Sequence, residues 1–230
     1  KQLRATERIN AKTKEPVYPT RFPPHLSHFT VPTLAEELEL IQGLNKSSGR
    51  EAGIYTEIKS PAWHRREGKD ISTIVLSVLD RYGYRESTDM AYVQCFDVAE
   101  TKRIRQELGC RLKLVQLLGK NDWKWLGSDF DQGQVANALR EIGSYADGIG
   151  PNMSDVARLV DDQGFFVITS LVEIAHKHKL FVHPYTLRAD DLPAYANSFD
   201  DLLRIFFYDV KVDGFFTDFP GQAIRARDQH

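Results

Sequence analysis

The sequence predicts an α/β protein built on a parallel sheet, of the (β/α)₈ barrel type, and three observations lead there. Short apolar runs alternate with helical segments along the chain, and successive runs lie mostly about 30 residues apart, the size of a βαβ unit. Several runs are almost continuously apolar, as strands covered on both faces require. Polar or aromatic residues recur at the ends of these runs: Glu57 and Lys59, Gln94 and Phe96, Gln116, Gly150, His183 and Tyr185, Thr217 and Asp218. A barrel assembles its site from the C-terminal ends of several strands, so that distribution favours a barrel over a doubly wound sheet. No Gly-x-Gly-x-x-Gly turn follows a strand and no Gly-Lys-Ser/Thr occurs, which argues against nucleotide-binding architectures.

Residues 1–31 are polar and punctuated by Pro16, Pro19, Pro23 and Pro24, and read as an extended leading segment. Folded structure is expected over 32–230. Thr33-Leu34-Ala35-Glu36 carries a capping-box pattern and opens a helix with Leu34, Leu38 and Ile41 on one stripe. Strands are predicted over 53–59, 91–96, 112–118, 145–150, 180–185 and 214–218. Helices are predicted over 69–82, 98–108, 134–142, 169–179 and 198–207. About six of a barrel's eight strands are therefore visible, and about two βα units are expected on the N-terminal side.

Composition narrows the function. The 230 residues are 42% hydrophobic, enough for a substantial core, and the net charge of −2 offers no long-range attraction for nucleic acid. Oligomeric state stays open. No apolar run reaches the length of a membrane span. The chain starts Lys1-Gln2-Leu3, from which processing or truncation upstream is expected. Cys95 and Cys110 fit neither a disulfide framework nor a zinc site and read as small buried side chains.

The run Gly53-Ile54-Tyr55-Thr56-Glu57-Ile58-Lys59-Ser60-Pro61 is the most informative. Alternation puts Tyr55, Glu57 and Lys59 on one face, the lumen of a barrel; burying a Glu and a Lys together is costly unless they pair with each other as an ordinary ion pair or hold something charged. The carboxylate suits a hard cation, although one alone makes a weak site. Lys59 suits a phosphate or a developing oxyanion; desolvated, it would instead suit a Schiff base. Gln94 and Phe96 pair a hydrogen-bonding group with an apolar wall, and either substrate contact or layer packing explains Gln94. His183 reads as a proton donor or as hydrogen-bonded filler. His176 and His178 read as solvated, and His25 and His28 fall in the leading segment. Two loops, 60–70 with Trp63, His64, Arg65 and Arg66, and 119–133 with Trp123 and Trp125, read as ligand covers or hydrophobic anchors. Asp218 before Pro220 reads as a helix N-cap.

Six segments together carry a family resemblance: Tyr-Thr-Glu-Ile-Lys-Ser-Pro at 55–61, Tyr-Val-Gln-Cys-Phe-Asp at 92–97, Leu-Val-Gln-Leu-Leu at 114–118, Ala-Asp-Gly-Ile-Gly-Pro at 146–151, Val-His-Pro-Tyr-Thr-Leu-Arg at 182–188 and Gly-Phe-Phe-Thr-Asp-Phe-Pro at 214–220. From about Tyr18 onward the chain resembles the bacterial periplasmic glycerophosphodiester phosphodiesterases. The resemblance implies a (β/α)₈ barrel that hydrolyses glycerophosphodiesters to glycerol 3-phosphate and an alcohol. It implies a divalent cation, Ca²⁺ first and Mg²⁺ second, and a periplasmic location. Glu57 matches the family's third metal carboxylate and Lys59 the lysine beside the phosphate; Gln94, Phe96, His183 and Tyr185 fall on strand ends that line the substrate pocket. The family's Glu-x-Asp, His-Arg-Gly and His-Asp motifs are absent from this sequence. The resemblance thus implies a chain that begins after the first two strands, that is inactive and prone to association by itself, and that regains hydrolysis when the upstream region is restored. Two readings outside the resemblance are a Schiff-base aldolase using Lys59 and a non-catalytic barrel that binds phosphorylated metabolites.

Overall fold

The computed structural model describes residues 3–21, 28–119, 123, 131–161 and 165–228. His25 and Trp125, and most of the 119–133 loop, lie outside them. By contacts the chain divides into two units, Lys1–Ala52 and Gly53–His230.

In the first unit, Ala5 donates to the Phe29 carbonyl at 2.8 Å and Val31 to that of Leu3 at 3.2 Å, around an antiparallel bridge from Arg4 to Thr30. A second bridge joins Ile9 to Pro16. Helix α1 (Leu34–Ser48) opens with the expected capping box: the Thr33 side chain receives the Glu36 amide, and the Glu36 carboxylate receives that of Thr33 at 2.8 Å. It ends at Gly49, whose φ of 65° is the left-handed conformation that glycine adopts without strain. On its stripe Leu38 is buried while Leu34 and Ile41 are half-buried.

The second unit is an α/β layer structure. Strands β1 (Ile54–Glu57), β2 (Ala91–Cys95), β3 (Lys113–Leu117), β4 (Gly148–Gly150) and, after an intervening hairpin of β5 (Ala157–Leu159) and β6 (Phe166–Ile168), β7 (Phe181–Val182) are the strands among the described residues. The main sheet runs β1-β2-β3-β4-β7, every pairing parallel. Each new strand joins the one before it, the winding of a barrel and not of a doubly wound sheet. Helices α2 (Pro61–Arg66), α3 (Ile71–Arg81), α4 (Val98–Gln106), α5 (Gln132–Ile142), α6 (Met153–Val156), α7 (Leu171–Lys177), α8 (Phe199–Arg204) and α9 (Pro220–Asp228) connect them, with a π-helical stretch at Ile205–Val210. None is long and apolar enough to cross a membrane among the described residues. The sheet–helix layer is closed by buried Val93, Leu114, Leu139, Ile149, Leu171 and Phe206.

Several expectations need correction. The strand expected over 214–218 is reduced to one parallel bridge, Leu187 to Thr217. The strand expected over 180–185 keeps regular pairing only at Phe181–Val182, because Pro184 interrupts the donors; Asn152 and Tyr185 add a bridge. The supposed loop 60–70 contains α2, started by Pro61, whose missing amide costs nothing in a first turn. Helix α8 passes into the π-helical stretch instead of ending at 207. Asp218 is not the N-cap of α9, since the helix begins two residues later; it holds Arg188 at 2.6 Å. His176 is half-exposed but pairs with Asp213 at 2.9 Å.

Candidate active site

The parallel register brings the predicted residues to one end of the sheet. Glu57 faces Gln94, and Gln94 faces Val115, so these side chains share a face at the C-terminal ends of three strands. Glu57, Lys59, Gln94, Phe96 and Tyr185 line one cleft of about 360 Å³, joined by Leu117, Thr186, Phe216, Thr217 and Asp218. His183 is not in that lining.

At the rim the Lys59 ammonium lies 2.7 Å from a Glu57 carboxylate oxygen. The pair is not buried as expected: Lys59 is 73% exposed and Glu57 22%. The strand ends at Glu57, so Lys59 already belongs to the turn that Ser60 completes in a left-handed conformation at φ 50°. The ammonium is therefore a hydrated point charge at the mouth, tethered by a carboxylate that sits deeper.

Gln94 has a different environment. It is 5% exposed, and its Oε1 has no hydrogen-bond partner among the described residues. Gln116, one strand over, faces the helices and is satisfied on both ends: its amide donates to the carbonyls of Cys95, Phe96 and Leu117, and Tyr145 donates to its oxygen at 3.2 Å. Gln116 is therefore structural, while Gln94, which lines the cleft, keeps an enclosed acceptor without a partner among the described residues. An unpaired buried amide oxygen costs about 1–3 kcal/mol, a cost that a donor from a ligand removes. Phe96 and Tyr185 meet edge to face at 5.8 Å, and the Tyr185 hydroxyl donates to the Leu118 carbonyl at 2.9 Å. Burial, with Asp155 and Glu57 nearby, pushes the Tyr185 phenol up to about 12, so it stays a donor.

His183 belongs to an aromatic layer in the lumen. Tyr55 stacks on Tyr92 at 4.6 Å and meets Phe216 at 4.8 Å; Phe181 lies 4.6 Å from His183. The Tyr55 hydroxyl and His183 Nδ1 are 3.1 Å apart. Burial moves the imidazole down to about 4 against a weaker opposing influence of Asp213, and raises the Tyr55 phenol. The neutral ring thus accepts from Tyr55, which fits hydrogen-bonded filler better than a proton donor.

A second, wider groove of about 620 Å³ lies on the other side of the same rim. It shares Glu57, Lys59 and Phe96 with the cleft and adds Ser60, Pro61, Ala62, Asp97, Val98 and Ala99. Asp97 caps α4 through the Glu100 amide at 3.0 Å.

The sequence reading missed Glu100. It is fully buried in the first turn of α4 and holds Ser72 of α3 at 2.5 Å, Arg103 at 2.8 Å, and Arg65 of α2. Arg103 reaches on to Asp70 at 2.5 Å. Burial alone would raise the Glu100 carboxyl, but Ser72, Arg65 and Arg103 outweigh it and hold it below its ordinary value. Through Arg65 this carboxylate fixes α2, which begins two residues after Lys59. An i, i+3 Glu–Arg pair on a helix looks like a solvated face in the sequence, which is why it gave no signal. Trp63 of α2 is 50% exposed and packs edge to face on His64, not on the core.

These residues do not fit a divalent cation by themselves. Among the described residues no three His, Cys, Asp or Glu side chains cluster, and Glu57 is engaged by Lys59. Two carboxylates, Glu57 held by Lys59 and Asp218 held by Arg188, and one amide oxygen fall short of the six or more oxygens that a calcium ion takes.

Comparison with known proteins adds to this geometry. The family model described as the glycerophosphoryl diester phosphodiesterase family matches residues 1–222. A glycerophosphodiester phosphodiesterase of Haemophilus influenzae is 39% identical over 239 residues, covering 96% of this chain and 66% of the relative. One of Treponema pallidum is 34% identical, covering 97% and 67%. The chain thus spans about two thirds of the length of these curated relatives. A crystallised Agrobacterium tumefaciens protein assigned as a glycerophosphoryl diester phosphodiesterase superposes with a TM-score of 0.54 at 14% identity, over 90% of this chain and 75% of that one. That likeness concerns the fold.

Proposed function

Because this chain belongs to the glycerophosphoryl diester phosphodiesterase family, we propose that it forms the substrate-binding side of an enzyme that hydrolyses glycerophosphodiesters to glycerol 3-phosphate and an alcohol. The observation that carries the reading is one cleft in which a lysine, a carboxylate, a buried amide acceptor and an apolar wall converge.

Each group has a task. The phosphodiester carries one negative charge, and Lys59 attracts it at the mouth, held in place by Glu57. Gln94 Oε1, enclosed in the structure, accepts from a glycerol hydroxyl once the amide swings toward the cleft, and Phe96 and Leu117 cover the carbon backbone. In the reaction water adds to phosphorus, the P–O bond to the alcohol breaks, and the alcohol oxygen takes up a proton. No proton donor for that oxygen is assigned among the described residues, since His183 is neutral and turned to Tyr55. A divalent cation would need ligands beyond Glu57. Activity therefore requires groups beyond those of this cleft, and the isolated chain is expected to turn over poorly.

The test is release of glycerol 3-phosphate from glycerophosphocholine by the full-length protein, read through a coupled dehydrogenase. Lys59→Met is expected to lower kcat/KM by about 100-fold, the loss typical of a donor that meets transition-state charge. Equal turnover by the variant overturns the reading. A Schiff base on Lys59 is poorly supported, because such a lysine has to be desolvated and this one is exposed.

A further inference from the structure

Lys59 stands between two anchors of different kinds. On its N-terminal side the Ile58 amide donates to the Gln94 carbonyl at 2.9 Å, where β1 leaves the sheet. On its C-terminal side the Ser60 carbonyl accepts from the amides of Trp63 at 3.0 Å and His64 at 3.2 Å, so Ser60 is fixed only as well as α2 is. Ser60 holds a left-handed backbone at φ 50°, which a residue other than glycine keeps only where its surroundings impose it.

Helix α2 has few means of staying in place by itself. It is six residues long, Ser60 gives it no side-chain cap, and Pro61 is the one of its six side chains that is buried. A helix of that length does not persist in water without tertiary contacts. The contact that reaches past its own segment is the ion pair from Arg65 to Glu100. Glu100 is a firm partner: it is fully buried, and Ser72 at 2.5 Å and Arg103 at 2.8 Å hold it from two other directions. It belongs to α4, which follows β2, the sheet neighbour of β1. The pair thus ties the turn after one strand to the helix after the next.

We propose that Arg65 is a positioning residue of the reaction: its ion pair with buried Glu100 docks α2, and α2, through Ser60, holds Lys59 where it meets the phosphodiester. The inference rests on the phosphodiesterase reading above and adds a group that touches neither substrate nor reacting atoms. Position matters at this point because a charge that meets a transition state loses much of its effect when displaced by about 1 Å. Arg65 is 40% exposed, and Glu100 keeps Ser72 and Arg103 when it is removed, so the role separates from that of the core.

The experiment is a double-mutant cycle on the full-length protein, with kcat/KM for glycerophosphocholine as the readout. Arg65→Ala, and independently Arg65→Met, which keeps an unbranched stem and loses the charge, are expected to lower kcat/KM by about tenfold. In the Lys59→Met background the same substitutions are expected to cost less than about twofold, because no ammonium remains to be positioned. Hydrogen exchange at the Trp63 and His64 amides is expected to speed up by about tenfold or more in both Arg65 variants, whatever the activity. Unchanged exchange overturns the docking of α2 by Arg65. A loss that is the same in both backgrounds, or no loss in either, overturns the positioning of Lys59. If Lys59→Met by itself leaves kcat/KM unchanged, the phosphodiesterase role of Lys59 fails, a result that the single substitution reports separately from the cycle.

Discussion

Gln94 is costly to the fold and useful to the site, and the two can be separated by substitution. Its buried Oε1 lacks a donor among the described residues, so Gln94→Met, close in volume, removes an unpaired polar atom from the interior. We expect the variant to be as stable as the parent or more so by about 1 kcal/mol in urea denaturation, while kcat/KM for glycerophosphocholine falls at least tenfold. Reduced stability with unchanged activity would show that Gln94 is packing alone. His183 makes the opposite case, a residue whose chemistry is structural. Its imidazole is depressed to about 4 in the folded protein against 6.5 in the open chain. Above pH 6.5 both states are neutral there and stability is independent of pH at this site. Between 6.5 and 4 the unfolded chain binds a proton that the folded one does not, so stability falls as pH falls, by up to about 3 kcal/mol. His183→Gln should flatten that window relative to the parent in thermal unfolding, and an NMR titration should find the ring neutral at pH 6. Alternation in the sequence put Gln94 and Phe96 on one face, and position at a strand end singled out His183. What alternation could not supply was the partner that decides the role, because Tyr55 lies 128 residues away.

At the level of elements, a loop in the sequence is a braced helix in the structure. Arg65 ties α2 to a carboxylate that also holds α3 and the start of α4, so the segment carrying Lys59 is anchored from behind. Glu100→Ala leaves two guanidinium groups without their shared partner and is expected to cost about 3 kcal/mol in denaturant unfolding. A cost below about 1 kcal/mol would mean that water replaces the carboxylate and that α2 is not braced by it. Crossing between β4 and β7 is equally demanding: a methyl group at Gly148 would stand 2.3 Å from the Phe181 ring. Gly148→Ala should accordingly destabilise by about 2 kcal/mol or more, the cost of overpacking a filled interior. Strands and long helices were legible because burial on both faces writes a continuous apolar run. The β5–β6 hairpin was not legible, since exposed Val160, Phe165, Val167 and Ile168 break the rule that apolar side chains point inward. Nor was the shortened last strand, where apolar content around Phe215 and Phe216 suggested a ladder that the backbone forms only at Thr217.

Over the whole molecule, the site depends on sequence-adjacent strands meeting in order, so its near half could be read from local pattern while its completeness could not. The strands that follow one another in βαβ sequence are also neighbours in the sheet, which is why Glu57, Lys59, Gln94 and Phe96 meet on one rim. Metal binding has no such local signature here, because it requires oxygens from several strands at once. The described residues offer Glu57, already 2.7 Å from an ammonium, and no cluster of three ligating side chains. A calcium ion entering this rim would have to displace Lys59 and accept one carboxylate where it normally takes six to eight oxygens. The 230-residue chain is therefore expected to gain less than about 1 °C in Tm from calcium at millimolar concentration, because stabilisation follows ligand concentration relative to Kd and a single-carboxylate site keeps Kd high. Isothermal titration with calcium, then with excess chelator, measures the same quantity directly. A sub-millimolar Kd, or a Tm rise that the chelator reverses, would move the cation's remaining ligands to side chains outside the described residues, with the carboxylates Asp122 and Asp129 the first to substitute. Weak binding that Glu57→Gln leaves unchanged would agree with a rim that offers the cation too few oxygens.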